Sequence, residues 1–268
     1  MKKLVQQTPS PRTVDTLTKD FHEVGIEAGM TVIMHSSLSS IGWVNGGSIA
    51  VIQALQTALT EKGTLVMPAH SADWSDPAEW GDPAIPRKWW DTVRETMPVF
   101  DPAVTPTRGM GKIAEAFRTY PGVVRSDHPV VSFAAWGRDK EAVIETHSLD
   151  FGLGKESPLQ YLYEMNASVL LLGVGYDSNT SFHLGEYYAP NPTFMKQGAP
   201  IEQHGKRVWE TYQDIETKEE QFAELGADFE KEHEVPTGYI GSAKSKLFSV
   251  REAADYSSEW IKKDRMKK

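Results

Sequence analysis

The run Val169-Leu170-Leu171-Leu172-Gly173-Val174 offers no polar position for a solvent-facing side. It therefore reads as a strand buried in a sheet that is covered on both faces, which commits the chain to helices packed above and below. The run then breaks. Gly175 permits a tight exit, and Asp177, Ser178, Asn179 and Thr180 are residue types that satisfy free backbone donors at a turn or a helix start. A helix is expected from about Thr180. On it His183 and Glu186, three residues apart, share a face, with Thr180 one turn before His183. One imidazole, two carboxylates and a hydroxyl thus meet just past the carboxyl end of a buried strand, where open α/β sheets place their ligands.

A neutral imidazole held by a carboxylate is the usual general base near pH 7. The spacing leaves open whether Asp177 or Glu186 holds it. The plainer alternative is a packing histidine beside a solvated acid. Asp177, His183 and Glu186 could also be ligands, but zinc sites usually carry more His or Cys, and the chain has no Cys, so no metal is expected.

The rest of the chain supplies a frame for that strand. Val14, Leu17, Phe21 and Val24 recur at helical steps after Thr13, and Gly25 can close the helix. A strand over 31–35, a Ser- and Gly-rich loop, a helix over 48–61 and a strand over 63–68 make a βαβ unit. Ser157-Pro158, with Gln160 at capping-box spacing from Ser157, opens a helix up to Met165, and a hairpin is expected around Gly205 between Pro200 and Asp214. Thr217 and Ser249 are read as caps of the last two helices. The expected fold is α/β in a single domain over 1–268: a central mixed sheet flanked by helices, a long inserted loop region, and a β-rich C-terminal part.

Two loops look suited to a phosphate or an amide-rich chain. Ser36, Ser37, Leu38, Ser39 and Ser40 follow the first strand, and Gly109, Met110 and Gly111, with Lys112 as a charge partner, run into a helix. Neither is a P-loop or a dinucleotide fingerprint. Further on, Arg125, Ser126 and His128 precede an apolar stretch from Val130 to Trp136 that reads as a strand.

From Ala69 to Thr107 periodicity disappears, and a span of that length without elements is usually functional. Asp73, Trp74, Asp76, Glu79, Trp80, Asp82, Trp89, Trp90 and Asp91 interleave acids with aromatic faces, and four of the chain's eight Trp fall here. Such a mixture suits a cationic, hydroxyl-rich ligand. It equally suits a lid whose Trp residues fill the space beneath it.

The net charge of −9 argues against a nucleic-acid partner and is compatible with a cationic small molecule. No apolar run reaches membrane-spanning length, and Met-Lys-Lys-Leu-Val leads into polar residues, so a cytoplasmic protein with no membrane partner is expected, as monomer or homodimer. The lack of Cys removes disulfides and thiolate nucleophiles.

Three blocks, in order, carry a resemblance. His35-Ser-Ser-Leu-Ser-Ser-Ile-Gly with Gly46-Gly47, Arg125-Ser-Asp-His-Pro, and Gly175-Tyr-Asp-Ser-Asn-Thr-Ser-Phe-His-Leu-Gly-Glu resemble motifs of the aminoglycoside 3-N-acetyltransferases, an antibiotic acetyltransferase family unrelated in fold to the GCN5-like enzymes. The resemblance implies acetyl-CoA as co-substrate and an aminoglycoside-like acceptor. It implies a catalytic set of His183, Asp177, Glu186 and Thr180, and cofactor contacts from His35, Ser36, Ser37, Leu38, Ser39, the Gly109–Lys112 turn, Ser126 and His128. Substrate contacts are expected from Asp73, Trp74, Asp76, Glu79 and Trp80. Two other classes stay open: a hydrolase using Ser36, Ser37 or Ser181 with His183 and Asp177, although no Gly-x-Ser-x-Gly elbow is present, and a non-catalytic binder of cationic carbohydrates or polyamines.

Overall fold

The computed structural model describes residues 2–81 and 83–266; Met1, Asp82, Lys267 and Lys268 lie outside the described residues. In chain order the elements are α1 (Lys2–Gln7), α2 (Val14–Val24), β1 (Thr31–Ser36), α3 (Gly47–Leu59), β2 (Thr64–Pro68), α4 (Trp90–Thr96), α5 (Gly111–Arg118), β3 (Val124–Arg125), β4 (Phe133–Gly137), α6 (Lys140–Glu145) and α7 (Pro158–Glu164). They continue with β5 (Ser168–Leu172), α8 (Ser181–Tyr188), β6 (Phe194–Gln203), β7 (Lys206–Ile215), α9 (Phe222–Glu232), β8 (Thr237–Ile240), β9 (Ala243–Ser249) and α10 (Val250–Arg265).

Seven strands form one sheet in the order β3-β4-β2-β1-β5-β9-β8. The central trio β2, β1 and β5 is parallel, and antiparallel strands extend it on both sides. Both faces of the trio are buried because side chains alternate across a strand. Val32, Met34, Leu170 and Leu172 pack into one core with α2, α3 and α5. Ile33, Val66, Val169 and Leu171 pack into a second core with α7, α8, α9 and α10. The apolar run around Leu170 is thus β5, in the middle of a mixed sheet flanked by helices. β6 and β7 form a separate hairpin whose two-residue turn, His204-Gly205, has both φ angles positive, as such hairpins require.

Several local expectations are corrected. The span 69–107 is not without structure: it holds α4 and short turns of 3₁₀ helix. Its two ends are clamped by Arg125, which donates to Ala69 O, Ser71 Oγ, Thr105 O and Pro102 O. β4 begins at Phe133, not Val130, because the amides of Val130 and Val131 donate to His128 Nδ1 and turn the chain. Ser157 does not cap through its hydroxyl, which donates to Gly154 O. α9 begins at Phe222 after a short turn and not at Thr217; the amide of Lys218 donates to the Glu186 carboxylate instead. Ser249 does cap α10, accepting from Glu252 N.

α8 is seated by close approach. A Cβ on Gly185 would lie 1.8 Å from Ser257 Oγ on α10, so glycine there lets the two helices meet. Phe182 and Leu184 on α8 pack beside Val250, Ala253 and Ala254 of α10 in the second core. On another side, Tyr187 Oη donates to Asp214 Oδ1 of β7 at 2.5 Å, tying the hairpin to the helix. Burial raises the Asp214 carboxyl above its ordinary range and pushes Tyr187 up strongly. Among the described residues no helix is long and apolar enough to cross a membrane.

Candidate active site

β1, β2 and β5 end on the same side of the sheet, and the segments that follow them surround a cavity of about 420 Å³. β1 contributes Met34, His35 and Ser36; the end of β2 contributes Pro68 and His70; the segment after β5 contributes Asp177, Ser178, Asn179, Thr180 and His183. Gly109, Met110, Gly111 and Ala114 close it from the start of α5. Gly109 and Gly111 both have positive φ, which is why this turn is glycine-rich.

Within the cavity His183 has a carboxylate partner. Its Nδ1 is 2.6 Å from Glu186 Oε2, and Phe222 packs against the ring with centroids 4.8 Å apart. The other oxygen, Glu186 Oε1, accepts from the Lys218 amide at 2.7 Å. Glu186 is 2% exposed, so its geometry is fixed from both sides. A carboxylate facing Nδ1 favours the tautomer with the proton on that nitrogen, the one in which Nε2 carries the lone pair. The ambiguity left by spacing is resolved at the level of contact: Glu186 touches His183. Asp177 lines the cavity on the short turn before α8. Thr180 stands at the N-cap of α8 with no side-chain capping bond.

Two more histidines share the wall. Burial, with a smaller contribution from nearby His183, lowers His35 to about 3; burial and a group of neighbours led by His183 lower His70 to about 3. Both are neutral near pH 7, and each leaves Nε2 buried without a hydrogen-bond partner. His70, Asn179 and Glu219 were missed as site residues. His70 follows the carboxyl end of β2 by two residues, and the strand-end rule applied to His183 would have found it.

The other expected site residues fall into three groups. Ser36, His35, Gly109, Met110 and Gly111 are brought to the cavity; Ser37, Leu38 and Ser39 form the short turn adjoining Ser36; Lys112 is exposed on α5. Ser126 and His128 are buried outside the lining of this cavity. Ser126 Oγ accepts from Phe133 N and contacts His147 Nδ1, while His128 accepts two amides on Nδ1 and has Leu149 O at 3.4 Å from Nε2. None of Asp73, Trp74, Asp76, Glu79 and Trp80 lines it. Asp76 binds Arg94 through both oxygens, Trp74 Nε1 donates to Pro98 O, and Trp80 Nε1 donates to Ser75 Oγ, so these three anchor the span. Asp73 pairs with Arg108 at 3.3 Å at the surface, and Glu79 is exposed. Among the described residues no group of three or more His, Cys, Asp or Glu is placed to hold a metal ion.

A sequence profile of the aminoglycoside 3-N-acetyltransferase family matches residues 33–262, which takes in all of this cavity. The chain belongs to that family. The family is one of acyltransferases, and the chain is an enzyme of this type. It is 52% identical over 262 residues to the prophage-derived aminoglycoside N(3')-acetyltransferase-like protein YokD of Bacillus subtilis, covering 97% of this chain and 96% of that one. The crystal structure of YokD superposes with a TM-score of 0.98 over the full length of both chains. The aminoglycoside acetyltransferase AAC(3)-Xa matches with a TM-score of 0.89 at 34% identity, covering 98% of this chain and 96% of that chain. A third structure, AAC-IIIb in a binary complex with CoASH, matches with a TM-score of 0.85 at 28% identity, over 95% and 98%.

Proposed function

We propose that this acetyltransferase moves the acetyl group of acetyl-CoA to an amino group of an aminoglycoside-like polyamino sugar, at the 3-N position, by direct attack. The observation that carries the reading is the His183–Glu186 contact of 2.6 Å in the wall of the cavity. A substrate ammonium must lose its proton before its nitrogen can attack a thioester, and a neutral imidazole with a free Nε2 is suited to take it. Glu186 fixes the tautomer and stabilises the imidazolium that forms. Thr180 supplies a hydroxyl to the developing oxyanion or the leaving thiolate. Asp177 and Glu219 place negative charge in the same cavity and suit the incoming cation.

Cofactor binding is assigned to the same place. The amides of Gly109, Met110 and Gly111 stand at the N-terminus of α5, and Ser36 stands opposite at the end of β1, a setting for phosphate and pantetheine oxygens. The CoASH complex of AAC-IIIb, a relative over nearly the whole chain, supports acetyl-CoA as co-substrate. The hydrolase alternative loses support at Ser181, which is fully buried with its hydroxyl donating to Asn179 Oδ1 at 2.7 Å.

The test is calorimetric titration with CoA, followed by acetylation of an aminoglycoside panel. CoA binding with turnover, and a product acetylated on N3, is the expected result. Failure to bind CoA overturns the reading.

A further inference from the structure

The cavity wall contains one group whose chemistry is fixed and whose hydrogen bond is missing. Asn179 lines the cavity and is 1% exposed. Its Oδ1 accepts from Ser181 N at 3.3 Å and from Ser181 Oγ at 2.7 Å, so the amide orientation is set and Nδ2 can only donate. That Nδ2 is buried with no partner. Buried donors are rarely left unsatisfied in native proteins, because the lost hydration is not returned. Nothing in the fold requires Nδ2: the turn and the start of α8 are served by Oδ1 alone.

The neighbouring wall explains the need for a donor. Asp177 and Glu219 line the same cavity, so negative charge that develops on a reacting carbonyl is opposed there. His35 and His70 add no positive charge near pH 7, since burial keeps both neutral. Beyond the Thr180 hydroxyl, such a carbonyl needs a further donor preorganised in the wall.

We propose that Asn179 is a catalytic residue that donates Nδ2–H to the carbonyl oxygen of the acetyl thioester. This rests on the acetyl-transfer reading above. In the step, the ammonium proton has already passed by way of His183 Nε2 to solvent; the amine nitrogen forms a bond to the carbonyl carbon, the C=O π pair moves onto oxygen, and the proton still held by the new N–C centre passes to His183 Nε2. Collapse restores C=O, breaks C–S and releases the CoA thiolate, which takes the proton from His183. Asn179 holds the oxygen throughout, with Thr180 beside it in sequence.

Asn179→Asp tests this, because the replacement keeps an acceptor for both Ser181 donors and replaces the donating nitrogen with oxygen. Asn179→Ala removes the donor without adding charge. Loss of one oxyanion donor elsewhere costs on the order of 10²–10³ in kcat, and a fall of that order is expected here for both variants, with CoA affinity unchanged and, for the uncharged Asn179→Ala, KM for the amine unchanged. A second readout needs no acceptor: the infrared C=O stretch of bound [1-¹³C]acetyl-CoA should lie lower on the wild type than in water, and should lose that shift in both variants. If acetyl-CoA binds but its carbonyl stretch is the same in wild type and variants, or if kcat is retained in Asn179→Asp, the assignment of Asn179 is overturned and the acetyl-transfer reading stands. If wild-type protein fails to bind acetyl-CoA, the reading beneath it falls and takes Asn179 with it.

Discussion

His183 and His147 are both histidines oriented by hydrogen bonds, yet their surroundings suit them to opposite duties. His183 has a carboxylate at 2.6 Å on Nδ1 and a cavity beside it. His147 spends Nδ1 on Ser126 Oγ and Nε2 on Gly152 O, each at 2.8 Å, and packs against His128 with ring centroids 4.7 Å apart. Burial lowers His147 to about 3 and His128 to about 4. A partner that can stabilise a charged ring suits the base proposed for His183; neutral partners and burial suit a piece of scaffold. The difference lies in the atom across the hydrogen bond.

The contrast can be broken first through acid. Burial holds His35, His70 and His147 at about 3 and His128 at about 4, against 6.5 for a free side chain. Between those values the unfolded chain binds protons that the folded chain refuses, so stability rises with pH across that window. The stabilisation is fully present above about pH 7 and is lost as pH falls through 6.5 toward 4. All four groups act in the same direction, so their effects on acid stability reinforce one another. Thermal melts followed by far-ultraviolet circular dichroism should therefore show Tm falling as pH drops from about 6.5 toward 4, ahead of the ordinary carboxylate range. A protein still folded with unchanged Tm at that pH would contradict the scaffold role.

A smaller effect sharpens the other half. Glu186→Gln keeps an oxygen for one of its two partners and loses the charge that steadies the imidazolium. Turnover should fall on the order of 10²-fold, with CoA affinity nearly unchanged. If the variant retained full turnover, Glu186 would be a packing residue and the distinction between the two histidines would fail.

How much of this was legible depends on the range of the interaction that decides each feature. The apolar run at Leu170, the hairpin at Gly205 and the His183–Glu186 spacing are local, and each appears in the fold as β5, the β6–β7 turn and the face of α8. The irregular span was legible as a region, but its role was not. Asp76 and Trp80 look like ligand contacts in sequence and are taken up by Arg94 and Ser75, partners that only folding supplies. His128 likewise belongs to a motif, yet its acceptor nitrogen is filled by the two amides that delay β4. The choice between Asp177 and Glu186 could not come from spacing, because Lys218, 32 positions beyond Glu186, fixes the latter. Asn179 reads as turn chemistry until its second amide atom is found without a partner.

The central claim is that His183 is the base of an acetyl transfer, and one comparison tests it most directly: steady-state acetylation by wild type and His183→Ala, with CoA affinity measured on both. The account predicts that the variant binds CoA as the wild type does and loses on the order of 10²–10⁴ in kcat. Turnover retained in His183→Ala would contradict it.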